Sequence, residues 1–374
     1  MSRIKVLQLH PDYNIRKLDV SDLGEQLFKA LPKEKFETVT GFLSGSPCEG
    51  QPESCAEHSV YFNFTSSQLK GLRLKVMWEL YKFLKKEKFD VVICNRYKPV
   101  NILLTLSRFV DVPKCIAIVH GFGDYDRAYR KHHLARNIKK NWMFVGVSKA
   151  VQDYLIGLDS GLTEKNTCYI TNAIDLDLAR KVMLDKENAR AELGLDKDAL
   201  LIGAMGRLIP LKAHDCLIRA FSEIAQDFPA AQLVILGEGR ERENLEKLIV
   251  QLNLDKRVHL IGFKEDGLKY LKAFDIWTMP SLREGLGLAL LEGMCAGLPV
   301  IASSVPAMLP LVRGAGGIDV TPGSVEALSE ALRTYLGASY SEREAIGKRV
   351  MDYVFENHGL DEFKSKYVEL LSEG

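Results

Sequence analysis

The chain has 374 residues, 47% hydrophobic and 26% charged, with 50 lysines and arginines against 49 acids. That balance is ordinary for a globular protein with a core to bury, and the length suggests roughly two or three domains of about 100–200 residues. No stretch approaches the ~20 apolar residues of a membrane-crossing helix, and the seven cysteines stand singly with no C-x-x-C pair, which argues against disulfides or zinc and for a reducing compartment.

Charge is unevenly spread. Residues 1–175 hold 26 basic and 19 acidic residues, a net of +7, and the remainder hold 24 and 30, a net of −6. A basic first half favours an anionic partner.

The chain opens on a strand-like run, Ile4–Leu9. Lys5 and Gln8 break it, so it reads as no signal peptide. Further apolar runs fall at Thr38–Phe42, Val91–Cys94, Cys115–Val119, Trp142–Val147 and Cys168–Thr171. A second set falls at Leu200–Met205, Gln232–Leu236, His259–Ile261, Ile276–Met279 and Val300–Ala302. Short runs apolar on both faces predict buried parallel strands. Amphipathic helices are predicted between them, over Leu69–Lys86, Leu211–Gln226, Arg240–Leu252 and Leu286–Cys295. The Gly-, Pro- and Ser-rich stretch Ser44–Ser59 reads as a loop. Such β/α alternation predicts parallel sheets covered by helices, and eleven strands are too many for one unit. The natural cut follows Asp175, giving Rossmann-like domains over 1–175 and 176–354. The tail from Tyr340 is helical in pattern, and its last part, about 355–374, is expected to pack on either domain.

The chemistry-bearing residues gather in the second half. After Met205 the chain reads Gly206-Arg207-Leu208, with Lys212 following before a helix. Two cations beside a strand's C-terminal end are placed to hold a diphosphate. A lysine near a helix N-terminus is unfavourable unless an anion sits there too. The next strand ends in Gly237-Glu238-Gly239, either a tight turn or part of a glycine fingerprint. The strand ending at Met279 runs into Pro280-Ser281, then Glu284-Gly285-Leu286-Gly287-Leu288, with Glu292 eight positions after Glu284. Two acids a little over two helical turns apart can face one ligand.

These segments, with Ala296-Gly297-Leu298-Pro299-Val300, resemble the retaining GT-B glycosyltransferases of family 4. The resemblance is strong over about residues 200–340. It is looser in the first half, at His120, Val147-Ser148-Lys149 and Asn172-Ala173-Ile174-Asp175. It implies an α/β GT-B fold, two Rossmann-like domains with parallel sheets facing across a central cleft. Arg207 and Lys212 would bind the donor diphosphate and neutralise it as it leaves. Glu292 would bind the ribose, and Glu284 the donor-sugar hydroxyls. Gly206, Gly237, Glu238 and the backbone of Gly285, Leu286, Gly287 and Leu288 would complete the nucleotide-sugar site. His120 would reach the sugar.

The implied activity is transfer of a sugar from a nucleotide diphosphate, a UDP-sugar foremost, to a glycan or lipid-linked acceptor. The setting would be lipopolysaccharide core or surface polysaccharide synthesis. No metal or other cofactor is expected, since Arg and Lys can neutralise the leaving phosphate. Asp124-Tyr125-Asp126 has the spelling of a metal motif, but follows the His120-Gly-Phe-Gly loop in a basic context. The first loop departs from the family: His10-Pro-Asp-Tyr-Asn-Ile-Arg16-Lys17 stands where many members have a Gly-Gly pair. Two basic segments, 70–88 and 127–140, suit either an anionic membrane face or a phosphorylated saccharide. The expected location is therefore cytoplasmic, peripheral at the inner membrane face. Nucleic acid is not an expected partner, because no recognition motif is present. A nucleotide-sugar epimerase of the same architecture and a silent nucleotide- or glycan-binding protein are the competing readings.

Overall fold

The structure, a computed structural model, describes residues 3–15 and 23–372. Arg16 and Lys17 lie outside the described residues. The chain divides into two compact units, residues 1–173 with 360–374, and residues 174–359.

The first unit is built on seven parallel strands. They are β1 (Ile4–His10), β2 (Phe36–Phe42), β3 (His58–Tyr61), β4 (Val91–Asn95), β5 (Lys114–Val119), β6 (Trp142–Gly146) and β7 (Thr167–Tyr169). Their order is β3-β2-β1-β4-β5-β6-β7. The second unit has six: β8 (Leu200–Met205), β9 (Ala231–Leu236), β10 (Val258–Gly262), β11 (Ile276–Met279), β12 (Val300–Ser303) and β13 (Ile318–Val320). Their order is β10-β9-β8-β11-β12-β13, again all parallel. In both sheets the order reverses at the unit's first strand, between β1 and β4 and between β8 and β11. In open parallel sheets ligands bind beyond the strand C-termini at that switch point.

All eleven predicted runs are strands, and the structure adds two. β3 lies at the end of the stretch read as a loop, and β13 follows Gly316-Gly317. Both are edge strands with one neighbour each, so neither shows the two-faced burial that betrays a central strand.

Helix starts are corrected by left-handed residues. The first basic helix begins at Leu74, not Leu69, because Gly71 and Arg73 sit at φ 62° and 53°. The helix expected over Leu211–Gln226 is a 3-10 turn, Pro210–Lys212, then a helix His214–Ile224, with Ala213 between them at φ 50°. The helix expected from Leu286 begins at Leu288, because Gly287 takes φ 97°. Glycine adopts that conformation at no steric cost. Helix Tyr340–Asn357 carries a Ser339–Glu342 capping box and packs on helix Leu288–Cys295. Helix Leu360–Ser372 belongs to the first unit, where it meets helix Leu23–Ala30 and buries Phe363, Tyr367 and Leu371.

Candidate active site

The β8–β11 switch point gathers three of the predicted residues. Gly206 ends the β8 turn, donating its N–H to Leu236 O at 3.0 Å. The 3-10 turn then carries Lys212 back over the sheet edge. Leu282 N donates to Leu211 O at 2.9 Å, which ties the loop after β11 to this turn. The result is an ion pair: Lys212 Nζ lies 2.5 Å from Glu284 Oε1, with side chains 17% and 13% exposed. The anion that a lysine needs near a helix N-terminus is thus supplied by the protein itself. Arg207 is exposed, and among the described residues its guanidinium has no hydrogen-bond or ion-pair partner. Ser281, three residues before Glu284, is buried, and its hydroxyl has no hydrogen-bond partner among the described residues.

The loop after β9 stands beside this site for a packing reason. A Cβ on Gly237 would lie 1.9 Å from the Gly206 carbonyl oxygen, and Gly237 adopts φ 154°. Only glycine fits there, so the glycine pattern is first a close-approach device. The Glu238 side chain turns to Arg242, with Oε1 and Nη1 2.5 Å apart, while the Glu238 carbonyl accepts from Leu208 N at 2.9 Å. Glu292 is half-buried on helix Leu288–Cys295, whose first turn directly follows Gly285, Leu286 and Gly287.

In the first unit, His120 follows β5 at the C-terminal sheet edge. Its Nε2 lies 3.2 Å from Oδ1 of Asn95, the last residue of β4. His10 ends β1, stacked on Phe42 with ring centroids 5.2 Å apart, and its Nε2 is buried and unbonded. Arg96, next to Asn95, is exposed at φ 64°. Sequence reasoning missed His10, Asn95 and Arg96 as site residues; only the position of His10 at a strand end hinted at it. Ser148 of the Val147-Ser148-Lys149 match is the N-cap of helix Lys149–Ile156, accepting from Val151 N. Lys149 is paired to Asp153 at 2.6 Å.

Burial, reinforced by His120 and Arg96, pushes the His10 imidazole down to about 3. Burial and Arg96 push His120 down to about 4. Burial and Lys212 do the same to His214, also to about 4. All three are neutral at pH 7. The unfolded chain takes up these protons below about pH 6.5, whereas the folded chain does so only near pH 3–4. Their stabilising effect is therefore complete above about pH 6.5 and lost as pH falls toward 4. Thermal melts between pH 7 and 5 are expected to show Tm falling by several degrees; a flat Tm over that range would contradict the burial of neutral rings.

The family model described as Glycosyl transferases group 1 matches residues 185–351, and that described as Glycosyltransferase Family 4 matches residues 25–178. An uncharacterized glycosyltransferase of Methanocaldococcus jannaschii is 33% identical over 300 residues, covering 76% of this chain and 75% of its own. The chain belongs to the family 4 glycosyltransferases. The transferase is also 28% identical over 305 residues to the UDP-Gal:alpha-D-GlcNAc-diphosphoundecaprenol alpha-1,3-galactosyltransferase of Escherichia coli, 76% of each chain. The Anabaena HepE structure in complex with UDP and glucose superposes on it with a TM-score of 0.82 at 19% identity, covering 100% of both chains. The expected GT-B fold is therefore the transferase's fold, and the epimerase and silent-binder readings give way.

Proposed function

We propose that the transferase moves a sugar from UDP to a saccharide or lipid-linked acceptor in lipopolysaccharide core or surface polysaccharide assembly, with retention and without a metal. The observation that carries this is the Lys212–Glu284 pair at the switch point of the second sheet, with Arg207 on the same β8 loop and its guanidinium without a partner among the described residues. Breaking a sugar–diphosphate bond leaves negative charge on phosphate, and fixed cations aimed at it lower the barrier. Arg207 and Lys212 take that role. Glu284 holds donor-sugar hydroxyls alongside the backbone of Gly285–Leu288, Glu292 holds the ribose, and His120 holds the sugar. Gly206, Gly237 and Glu238 shape the nucleotide pocket through their backbone. As the resemblance to the retaining family implies, the donor phosphate oxygen takes the acceptor proton while the acceptor attacks from the leaving-group side.

The lipid-linked acceptor is supported by the E. coli relative, whose name gives a sugar on diphosphoundecaprenol. Peripheral contact with an anionic membrane is supported by the first basic helix. Leu72, Leu74 and Trp78 are 83%, 73% and 59% exposed, and Lys82 lies 5.6 Å over the Trp78 ring. Apolar side chains rimmed by lysines suit the headgroup boundary of a bilayer. Among the described residues, no helix is long and apolar enough to cross a membrane.

Purified transferase incubated with UDP-galactose or UDP-glucose and a lipid-linked N-acetylglucosamine acceptor tests the reading. The expected product keeps the donor's α-configuration by NMR, and the rate is unchanged by EDTA. A β-linked product would overturn retention. Loss in EDTA restored by Mg²⁺ would overturn metal independence.

A further inference from the structure

The first sheet's switch point holds buried polar groups that have no hydrogen-bond partner among the described residues. Adjacent strands β1, β4 and β5 end in His10, Asn95 and, one residue on, His120. The strand register puts Gln8 opposite Ile93, and Asn95 opposite Ile118. Side chains alternate along strands, so Gln8, His10, Asn95 and His120 share one face. Asn95 is 4% exposed, and its Nδ2 is unbonded among the described residues. Among the described residues both amide atoms of Gln8, which is 0% exposed, are unbonded, and so is the buried His10 Nε2. Buried polar groups without partners are rare and each costs stability, so several in one file call for an explanation.

The polarity of the file indicates its ligand. Asn95 Oδ1 can only accept, so His120 Nε2 carries the hydrogen between them and His120 Nδ1 is an acceptor. Asn95 Nδ2 is a donor. Neutral His10 offers either role at Nε2. A phosphate or carboxylate matches donors only and a cation acceptors only, whereas a hydroxyl both donates and accepts. Aromatic faces stand alongside: His10 stacks on Phe42, Phe42 stacks on Tyr61 at 5.5 Å, and Tyr13 meets Phe42 edge-on at 5.4 Å. The stack fixes the His10 ring, so its nitrogen is held in place before any ligand arrives.

We propose that His10 and Asn95, with His120, form a sugar-hydroxyl subsite at the end of β1 and β4, in the place where many family members carry a glycine pair. It rests on the transfer reading above and adds a binding residue, His10, and a positioning residue, Asn95, which sets the His120 tautomer. The unsatisfied groups are stability forgone in favour of binding, as expected where function overrides local rules.

His10→Phe preserves the ring stack on Phe42 and removes both nitrogens. In the full chain, Tm is expected to hold or rise by roughly 2 °C, since an unbonded buried polar atom is gone. UDP, which carries no sugar, should bind as it does to the unsubstituted chain. Sugar-dependent kcat/KM should fall by about 10-fold or more. Two arms tell the donor from the acceptor. Slow hydrolysis of UDP-glucose or UDP-galactose without acceptor reports the donor sugar, and transfer to octyl N-acetylglucosaminide reports the acceptor; a loss in either arm supports the subsite. NMR supplies a readout independent of turnover. The histidine ring signal missing in His10→Phe should move when UDP-glucose or the octyl glycoside is added to the unsubstituted protein, and should not titrate between pH ~5 and ~8. Unaltered kcat/KM in both arms with UDP binding intact, or a lower Tm with an unmoved His10 signal, would overturn the subsite alone. Absence of UDP binding in the unsubstituted protein would instead overturn the transfer reading beneath it.

Discussion

Lys212→Ala is expected to cut kcat/KM by about 10²-fold or more, the scale of losing one preorganised charge contact to a departing group. The geometry gives the substitution two consequences. It removes the cation proposed to meet the leaving diphosphate, and it leaves Glu284 as a largely shielded carboxylate with its lysine partner gone. An unpaired buried acid beside incoming phosphates repels them. Glu284→Gln separates the effects, because it keeps a side chain able to hydrogen-bond the sugar hydroxyls proposed for it while removing that charge. Lys212→Arg keeps the charge but trades a point ammonium for a planar fork, so partial activity is expected. Steady-state kinetics on the three variants, with melts to confirm folding, check this. A Lys212→Ala enzyme keeping more than about a third of its kcat/KM would sink the assignment of Lys212.

Gly293→Ala should be among the most damaging single methyl groups in the second unit. A Cβ there would lie 2.1 Å from Trp277 Cδ1 and 2.4 Å from its Nε1, well inside contact distance. Trp277 cannot yield. It is fully buried in β11 and donates Nε1–H to Ala289 O at 2.8 Å, one turn back on the same helix. The helix Leu288–Cys295 must therefore back away from the sheet, taking with it Glu292 and the end of the Glu284 loop. Overpacking of this kind costs about 2–4 kcal/mol. That corresponds to a Tm lowered by roughly 5 °C or more. Differential scanning calorimetry reads the loss directly, and a Tm within about 1 °C of the unsubstituted chain would show that the helix and sheet are not so closely seated.

Central strands are legible in the sequence because helices on both faces make them short, largely apolar runs; Val91–Cys94 and Leu233–Leu236 need nothing more. β3 and β13 escape that reading as edge strands among glycine, proline and polar residues. The nearness of Lys212 and Glu284 is readable too, since each follows the C-terminal end of a predicted strand and the doubly wound order makes β8 and β11 neighbours. The direction of Glu238 is not readable. Its partner Arg242 lies four residues on, where helical spacing competes with the ligand side. Gly237 likewise depends on a backbone approach to Gly206 that no periodicity reports. The cluster of His10, Asn95 and His120 is the least legible. The resemblance marks His120 alone, His10 and Asn95 are unremarked as site residues, and the three meet only because strands distant in the chain pair in the sheet.

The proposed function requires that the second unit hold a nucleoside diphosphate through Arg207 and Lys212. Thermal-shift melts of the unsubstituted chain and of Lys212→Ala, with UDP, GDP, ADP and UDP-glucose, test it most directly, because a ligand of the native state raises Tm with affinity and concentration. UDP and UDP-glucose are expected to raise the Tm of the unsubstituted chain, and to raise that of Lys212→Ala much less. No shift with any nucleotide, or equal shifts in both proteins, would contradict it.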